Sequence, residues 1–189
     1  MLVHARMNRV ALATALLAAS SGVASAGTYI GLGIGPAPAI DAPDLENTLS
    51  NDGRSGKLIV GQRFGRFSIE GGLGKFDLRL SDNGGLGPQY EVYQAQVSGK
   101  YGLPLSDGFE VYGRLGLHKQ WFGNEREDLD VSGSGLLIAA GFEYRFATGI
   151  GGFSLFVDYQ YSRADVSGER LDFGDTSTRM WTLGATIGF

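Results

Sequence analysis

Apolar and polar residues alternate with a period of two through most of the chain, and this pattern predicts β-strands rather than helices. Eight segments of about 9–14 residues show it, long enough for a tilted strand to cross a bilayer. They cover 28–36, 55–64, 67–80, 89–103, 108–121, 134–147, 152–164 and 178–189. We therefore predict an all-β fold, an eight-stranded antiparallel up-and-down barrel.

The two faces of these strands differ in chemistry. In the fifth segment Phe109, Val111, Leu115 and Leu117 share one face with Gly113, while the other face carries polar, charged or small residues. The period of two does not decide which face points inward. A soluble barrel and a membrane barrel are therefore both consistent with it. The charged face holds four acids and four bases: Arg63, Glu70, Lys100, Glu110, Arg114, Glu143, Arg145 and Asp158. Balanced charges on a glycine-rich face favour a narrow lumen in which opposite charges pair.

The segments between the strands alternate in length. The links 65–66, 104–107 and 148–151 are short, whereas 37–54, 81–88, 122–133 and 165–177 are longer and hydrophilic. Outer-membrane barrels have short periplasmic turns and longer external loops. The pattern thus favours a membrane barrel with the short links and the C-terminus on the periplasmic side.

The first 26 residues have the pattern of a secretory signal peptide. Arg6 and Arg9 precede the apolar run Val10 to Ala19, and Ala24-Ser25-Ala26 matches a small-x-small cleavage site. The run is too short for a spanning helix, which needs about 20 residues. We expect a signal peptide at 1–26, a barrel domain at 27–189, and export through a cleaved signal to the bacterial outer membrane.

The amino-acid composition excludes several kinds of site and partner. The chain of 189 residues has no cysteine, which excludes disulfides and cysteine-based metal sites or nucleophiles. Of its 31 glycines only Gly22 precedes residue 27, so the barrel domain holds about 18% glycine against a usual 7%. Without residues 1–26, 14 basic and 20 acidic residues leave a net charge of −6. Such an acidic chain is not expected to bind nucleic acid.

The chain resembles the small bacterial outer-membrane barrels typified by the OmpA N-terminal domain, OmpX and the opacity-type proteins. The resemblance covers 27–189 and rests on the signal peptide and on short segments in their order. These are Gly61-Gln62-Arg63-Phe64, Ser98-Gly99-Lys100-Tyr101, Leu103-Pro104-Leu105, Tyr112-Gly113-Arg114-Leu115-Gly116 and the last strand. It implies that Trp181, Leu183, Ile187 and Phe189 form the signal that the barrel-assembly machinery recognises.

Three motifs suggest other chemistry. His118, the single histidine of the barrel domain, is the candidate base of a lipid A-modifying enzyme, with Ser132 and Ser134 as candidate serine partners. Asp128 to Gly133 resembles the start of a calcium loop, but the position for its bidentate glutamate is Ala139. Gly31, Gly33 and Gly35 resemble a nucleotide loop without its helix, and we expect them to let the first strand pack inward.

The sequence thus predicts a structural or surface-interaction protein whose external loops meet lipopolysaccharide, the environment or a host. Because eight strands leave an interior only just wide enough for side chains, we expect a closed lumen in which Lys100 pairs with Glu110 across the hairpin. A narrow gated pore and a lipid A-modifying enzyme remain as alternatives. We expect no catalytic residue, cofactor or metal, a monomer, and contact with outer-membrane lipid.

Overall fold

The structure is a computed structural model that describes residues 27–41, 49–50, 53–82, 85–124, 127–146, 152–168 and 174–189. The predicted signal peptide at 1–26 lies outside the described residues. No helix in these ranges is long and apolar enough to cross a membrane. Ten strands follow in chain order: β1 (Thr28–Pro36), β2 (Ala39–Asp41), β3 (Leu49–Ser50), β4 (Arg54–Phe64), β5 (Phe67–Asp82), β6 (Gly85–Ser106), β7 (Phe109–Asn124), β8 (Glu127–Phe146), β9 (Phe153–Gly168) and β10 (Gly174–Gly188).

Eight of these strands close into one antiparallel barrel. Strand β1 pairs with β4, each later strand pairs with the next, and β10 returns to pair with β1. Closure leaves none of the eight as a free edge. The predicted eight-stranded barrel is therefore confirmed. The short strands β2 and β3 fall within the predicted first long link, where they pair with β10 and β5 and extend the wall.

Two-residue turns join strands at one end of the barrel, which we call the turn end. Gly65 and Gly108 adopt φ of 66° and 79°, a backbone conformation that glycine reaches without a Cβ penalty. Phe189 lies at the same end, where its N–H donates to the carbonyl of Thr28. The opposite end, where β5 meets β6, β7 meets β8 and β9 meets β10, is called the hairpin end.

The predicted long links at the hairpin end are wrong in extent. Strands β5 and β6 run to Asp82 and from Gly85, and β7 and β8 run to Asn124 and from Glu127. The polar composition of these segments suggested loops, but their backbones continue the ladder of hydrogen bonds as hairpins. What remains of the predicted links, at 83–84, 125–126 and 169–173, lies outside the described residues.

The face assignment is confirmed by burial. Outward-facing Leu115 and Leu183 are 64% and 60% exposed, whereas inward-facing Glu70 and Asp158 are 3% and 1% exposed. Large apolar side chains therefore cover the outside and polar ones fill the inside, the reverse of a soluble barrel. Aromatic residues concentrate at the turn end of this apolar surface, with ring contacts such as Phe109 to Phe142 at 5.8 Å.

Candidate functional site

The interior of the barrel is the candidate site, because the eight charged residues predicted to face the lumen lie there. Six of the eight are buried: Glu70, Lys100, Glu110, Arg114, Glu143 and Asp158. Arg63 and Arg145 lie nearer the turn end, where 18% and 40% of their side chains are exposed. Each occupies an inward position on its strand, so the alternation of the sequence is sufficient to bring all eight together.

Arg114 stands at the centre and joins strands that are not neighbours. From β7 its Nη1 donates to Glu70 Oε2 on β5 at 3.1 Å. Its Nη2 donates to Asp158 on β9. Neither partner lies on a strand adjacent to β7, so these bonds cross the lumen rather than run along the wall.

A second group of charges surrounds Glu143 near the turn end. Its carboxylate accepts from Lys100, from Arg63 Nη2 at 3.2 Å, and from Arg145 Nε at 3.3 Å. Glu110 accepts from Arg145 and lies 3.7 Å from Arg63. Lys100 Nζ is 3.7 Å from Glu70 Oε1 and so connects this group with Arg114.

Lys57 extends the network on the hairpin side and was missing from the sequence prediction. Its Nζ lies 3.6 Å from Asp158 Oδ2 and donates to Gln160 Oε1 at 3.2 Å. Its position in the alternation was a usable signal, since Lys57 shares the parity of Arg63 on β4. With Lys57 included, the described side chains form a continuous ion-pair network of nine residues from six strands.

The predicted pair of Lys100 with Glu110 is wrong. Lys100 lies opposite Arg114, and Glu110 lies opposite Pro104. The turn falls at 107–108 rather than at 104–107, and an irregularity between Pro104 and Ser106 changes the register by one residue in the opposite sense. Two cations therefore face each other across β6 and β7, and Glu70 between them binds both.

Aromatic side chains fill the space between the charges. Tyr29, Tyr112 and Phe156 are buried in one cluster with Ile59. Tyr29 Oη donates to Glu70 Oε1 at 2.6 Å, and Lys100 Nζ lies 4.1 Å from the centre of the Tyr112 ring. These contacts stabilise the Glu70 carboxylate and the Lys100 ammonium on the sides that face away from their ion partners. This part of the lumen is thus occupied by side chains.

Towards the hairpin end, the inward side chains that the structure describes are uncharged, and those next to the ion-pair network are polar. Gln94 lies opposite Gln120, and Gln96 lies opposite His118, with all four buried on the inner face. Both ring nitrogens of His118 and the amide nitrogens of Gln94 and Gln120 have no hydrogen-bond partner in the described part of the chain. Beyond them, Phe76 and Val92 are fully buried against Ile40 of β2.

The geometry gives little support to a catalytic site at His118 or to a calcium site at 128–133. Ser134 is exposed on the outer face of β8, opposite to the inner face that carries His118. The backbone of 128–133 is an extended part of β8 rather than a loop that could wrap an ion. Within the described ranges no group of three or more histidine and acidic residues is placed to hold a metal.

The glycines of β1 pack closely, as predicted. A Cβ on Gly31 would lie 2.7 Å from the Thr186 side chain, and one on Gly33 would lie 2.5 Å from that of Thr182. Both threonines belong to the neighbouring strand β10. The run therefore serves the inward packing of β1 against β10.

Comparison with known proteins agrees with this architecture. A family model described as outer membrane protein beta-barrel domain matches residues 10–189. Neisserial surface protein A (NspA) superposes with a TM-score of 0.63 and 14% identity, over 86% of this chain and 97% of that chain. Ail, the attachment invasion locus protein of Yersinia pestis, gives 0.56 and 18%, over 87% and 100%. OprG from Pseudomonas aeruginosa gives 0.53 and 15%, over 87% and 96%.

Comparison with curated protein sequences gives no match. The likeness to solved structures, at these identities, concerns the fold. The family model spans every described strand of the closed barrel and its apolar outer wall. The chain therefore belongs to the outer-membrane β-barrel family of bacterial outer membranes.

Proposed function

We propose that this protein is a closed surface anchor, which presents its hairpin end to partners outside the cell. The observation that carries the proposal is the ion-pair network across the lumen. Arg114 binds carboxylates two strands away on either side, and Lys57 on β4 reaches Asp158 on β9. An eight-stranded barrel has an interior only just wide enough for side chains, and here charged pairs and aromatic rings occupy it.

The orientation follows from the general architecture of the family. Short turns and the C-terminus belong on the periplasmic side, which places the hairpin end outside. Rigid scaffolds that display variable segments at one end commonly carry binding there. Ail, an 18–19% identical neighbour, has been crystallised with the heparin analogue sucrose octasulfate, so a barrel of this fold can hold a ligand. Lipopolysaccharide, the environment and a host surface remain the partners that we propose for this end.

The pore and the enzyme are the weaker candidates. A pore requires a continuous path, and the ion-pair network crosses the lumen from β7 to β5 and β9 and from β4 to β9. An enzyme acting on lipid A requires a base that lipid can reach, whereas His118 is buried inside the wall. The candidate serine partners Ser132 and Ser134 lie on the outer side of β8. We therefore propose that the protein has no catalytic activity.

Conductance across a planar bilayer tests the closed lumen. The purified protein is expected to give no steady current, whereas Glu70→Ala combined with Arg114→Ala is expected to give one, because it removes both central side chains without changing the net charge. Leu115→Ala, one position away on the outer face, is the control and should stay silent. A steady, reproducible current from the unaltered protein would overturn the proposal.

The cysteine-free chain also allows a direct test of orientation. A single cysteine at Glu127, at the hairpin end, should react in intact cells with a maleimide that cannot cross the membrane. A single cysteine at Asp107, in a turn, should react only after the cells are opened. The reverse pattern would show that the hairpin end faces the periplasm.

A further inference from the structure

Five basic side chains form a ring around the outer wall of the barrel. Each faces outward on a different strand, and we call them the basic ring: Arg54, Lys75, Lys119, Arg163 and Arg179. Four of them lie ten positions from an aromatic residue at the turn end of the same strand or directly after it, in the pairs Phe64 with Arg54, Phe109 with Lys119, Phe153 with Arg163, and Phe189 with Arg179. Eight residues separate Phe67 from Lys75 on β5. The five bases thus lie at nearly one height.

That height coincides with the boundary of the apolar surface. Ten residues span about 33 Å along a strand, or about 25 Å along the barrel axis at the usual tilt of about 40°, which is the height of the apolar band of outer-membrane barrels. Between the aromatic residues and the ring, the described outward side chains of these strands carry no charge. The ring therefore lies where lipid headgroups meet the barrel.

The carboxylates near the ring lie farther from the membrane. Asp77 and Asp165 follow Lys75 and Arg163 by two residues, towards the hairpin end. Glu91, also farther out, accepts a hydrogen bond from Lys75 Nζ at 2.6 Å. Lys119 lies 5.7 Å from the ring of Trp121, an arrangement typical of side chains at a membrane interface. At the headgroup level itself the described outward charges are cationic.

Two apolar grooves open directly below Arg54. The first, of about 660 Å³, lies over β4 and its neighbours and is lined by Leu32, Leu58 and Leu73. The second, of about 600 Å³, is lined by Val157, Trp181 and Leu183. It lies where the pairing of β1 with β10 ends, at Ile34 and Leu183, while β1 still pairs with β4 as far as Pro36. Arg54 borders both grooves, while Lys75 and Asp77 border only the first.

We propose that Arg54 of the basic ring and the two grooves beside it bind a phosphorylated glycolipid of the outer leaflet, the lipid A part of lipopolysaccharide. Its acyl chains would occupy the grooves and a phosphate would bind Arg54, whose guanidinium matches phosphate geometry. The two described turns at the other end of the barrel carry no such ring, since their charges are one base and one acid, Arg66 and Asp107. This inference rests on the orientation given under the proposed function and extends it to the barrel wall.

Two glycines on the outer wall allow a matched pair of variants that tests the first groove. A Cβ on Gly56, which lines the first groove, would have no atom within 4 Å, so leucine there fills the groove without a clash. Gly113 on the outer face of β7 is equally open and lies outside both grooves. Gly56→Leu and Gly113→Leu thus add the same apolar group to the wall, inside and outside the proposed site.

Binding of fluorescent diphosphorylated lipid A to the detergent-solubilised protein is the measurement. We expect Gly56→Leu to weaken binding about tenfold, and Arg54→Gln to weaken it about tenfold or more, since a charge-assisted hydrogen bond contributes at least that factor. Gly113→Leu should bind as the unaltered protein does. Dephosphorylated lipid A should bind as weakly as the Arg54→Gln variant binds the diphosphorylated form.

Three results would overturn the inference: no binding by the unaltered protein, equal losses in the two leucine variants, or equal binding of phosphatidylglycerol. The last would assign the ring to anionic lipid in general. Retained heat-modifiable migration on a gel shows that each variant is folded. Because binding in detergent does not depend on orientation, a negative result here leaves the cysteine labelling to decide the proposed function separately.

Discussion

The two halves of the lumen are filled by different chemistry. In the half nearer the turn end, every charged residue of the ion-pair network has at least one partner of opposite charge within 4 Å. In the half nearer the hairpin end, Gln94, His118 and Gln120 are equally buried, yet their side-chain nitrogens have no protein partner in the described ranges. The first half is joined by direct ion pairs, whereas in the second half the side-chain nitrogens of these three residues have no direct partner among the described residues.

The difference follows from the energetics of burial. A buried charge without a partner costs several kcal/mol, so charges are tolerated only where geometry provides pairs. An unpaired neutral amide or imidazole costs about 1–3 kcal/mol, and ordered water commonly satisfies it. The charged half therefore specifies one arrangement of side chains, while the neutral half tolerates substitution. This contrast can be tested by removing one side chain at a time.

The largest effect is expected at Arg114. Its replacement by alanine leaves Glu70 without one partner and Asp158 with only Lys57, so the free energy of unfolding should fall by about 3–5 kcal/mol. Urea titration of the protein folded into phosphocholine vesicles measures it. Leu115→Ala is the matched control, because that side chain faces lipid. A loss below about 1 kcal/mol for Arg114→Ala would mean that the network contributes little to stability.

Lys57 lies where the two halves meet and should show an intermediate effect. Lys57→Met removes one ion pair with Asp158 and one hydrogen bond to Gln160, while Asp158 keeps Arg114. We expect a loss of about 1–3 kcal/mol in the same titration. A loss as large as that of Arg114→Ala would place the boundary between the halves farther towards the hairpin end.

The sequence was sufficient for the fold because alternation is a local property. Leu115, Leu183, Glu70 and Asp158 each lie on the face that period-two counting assigns, and an even set of eight such segments closes on itself. Alternation also places Lys57 inside, although the prediction omitted it.

The pairings in the lumen could not be obtained in this way. The partner of Lys100 depends on where the turn falls and on the irregularity near Pro104, and a shift of the turn by two residues moves the opposite residue by four. The bonds of Arg114 depend moreover on the barrel radius, because they join strands that are not neighbours. Hydrophilic composition likewise gave no means to separate a loop from a hairpin that extends beyond the membrane.

The smallest effect is expected at His118, in the neutral half. His118→Leu replaces a buried ring without a protein partner by an apolar group, so the free energy of unfolding should change by no more than about 1 kcal/mol in either direction. The same urea titration measures it.

His118→Asp is the matched contrast at the same position. It places an unpaired charge in the neutral half, and the loss should reach about 3 kcal/mol or more. Equally large losses for leucine and aspartate would contradict the comparison, because they would show that the imidazole itself is bonded. A small loss for both would show instead that water reaches this half freely enough to solvate a carboxylate. Only a large difference between the two variants supports a neutral half that is sheltered from solvent and lacks partners for charge.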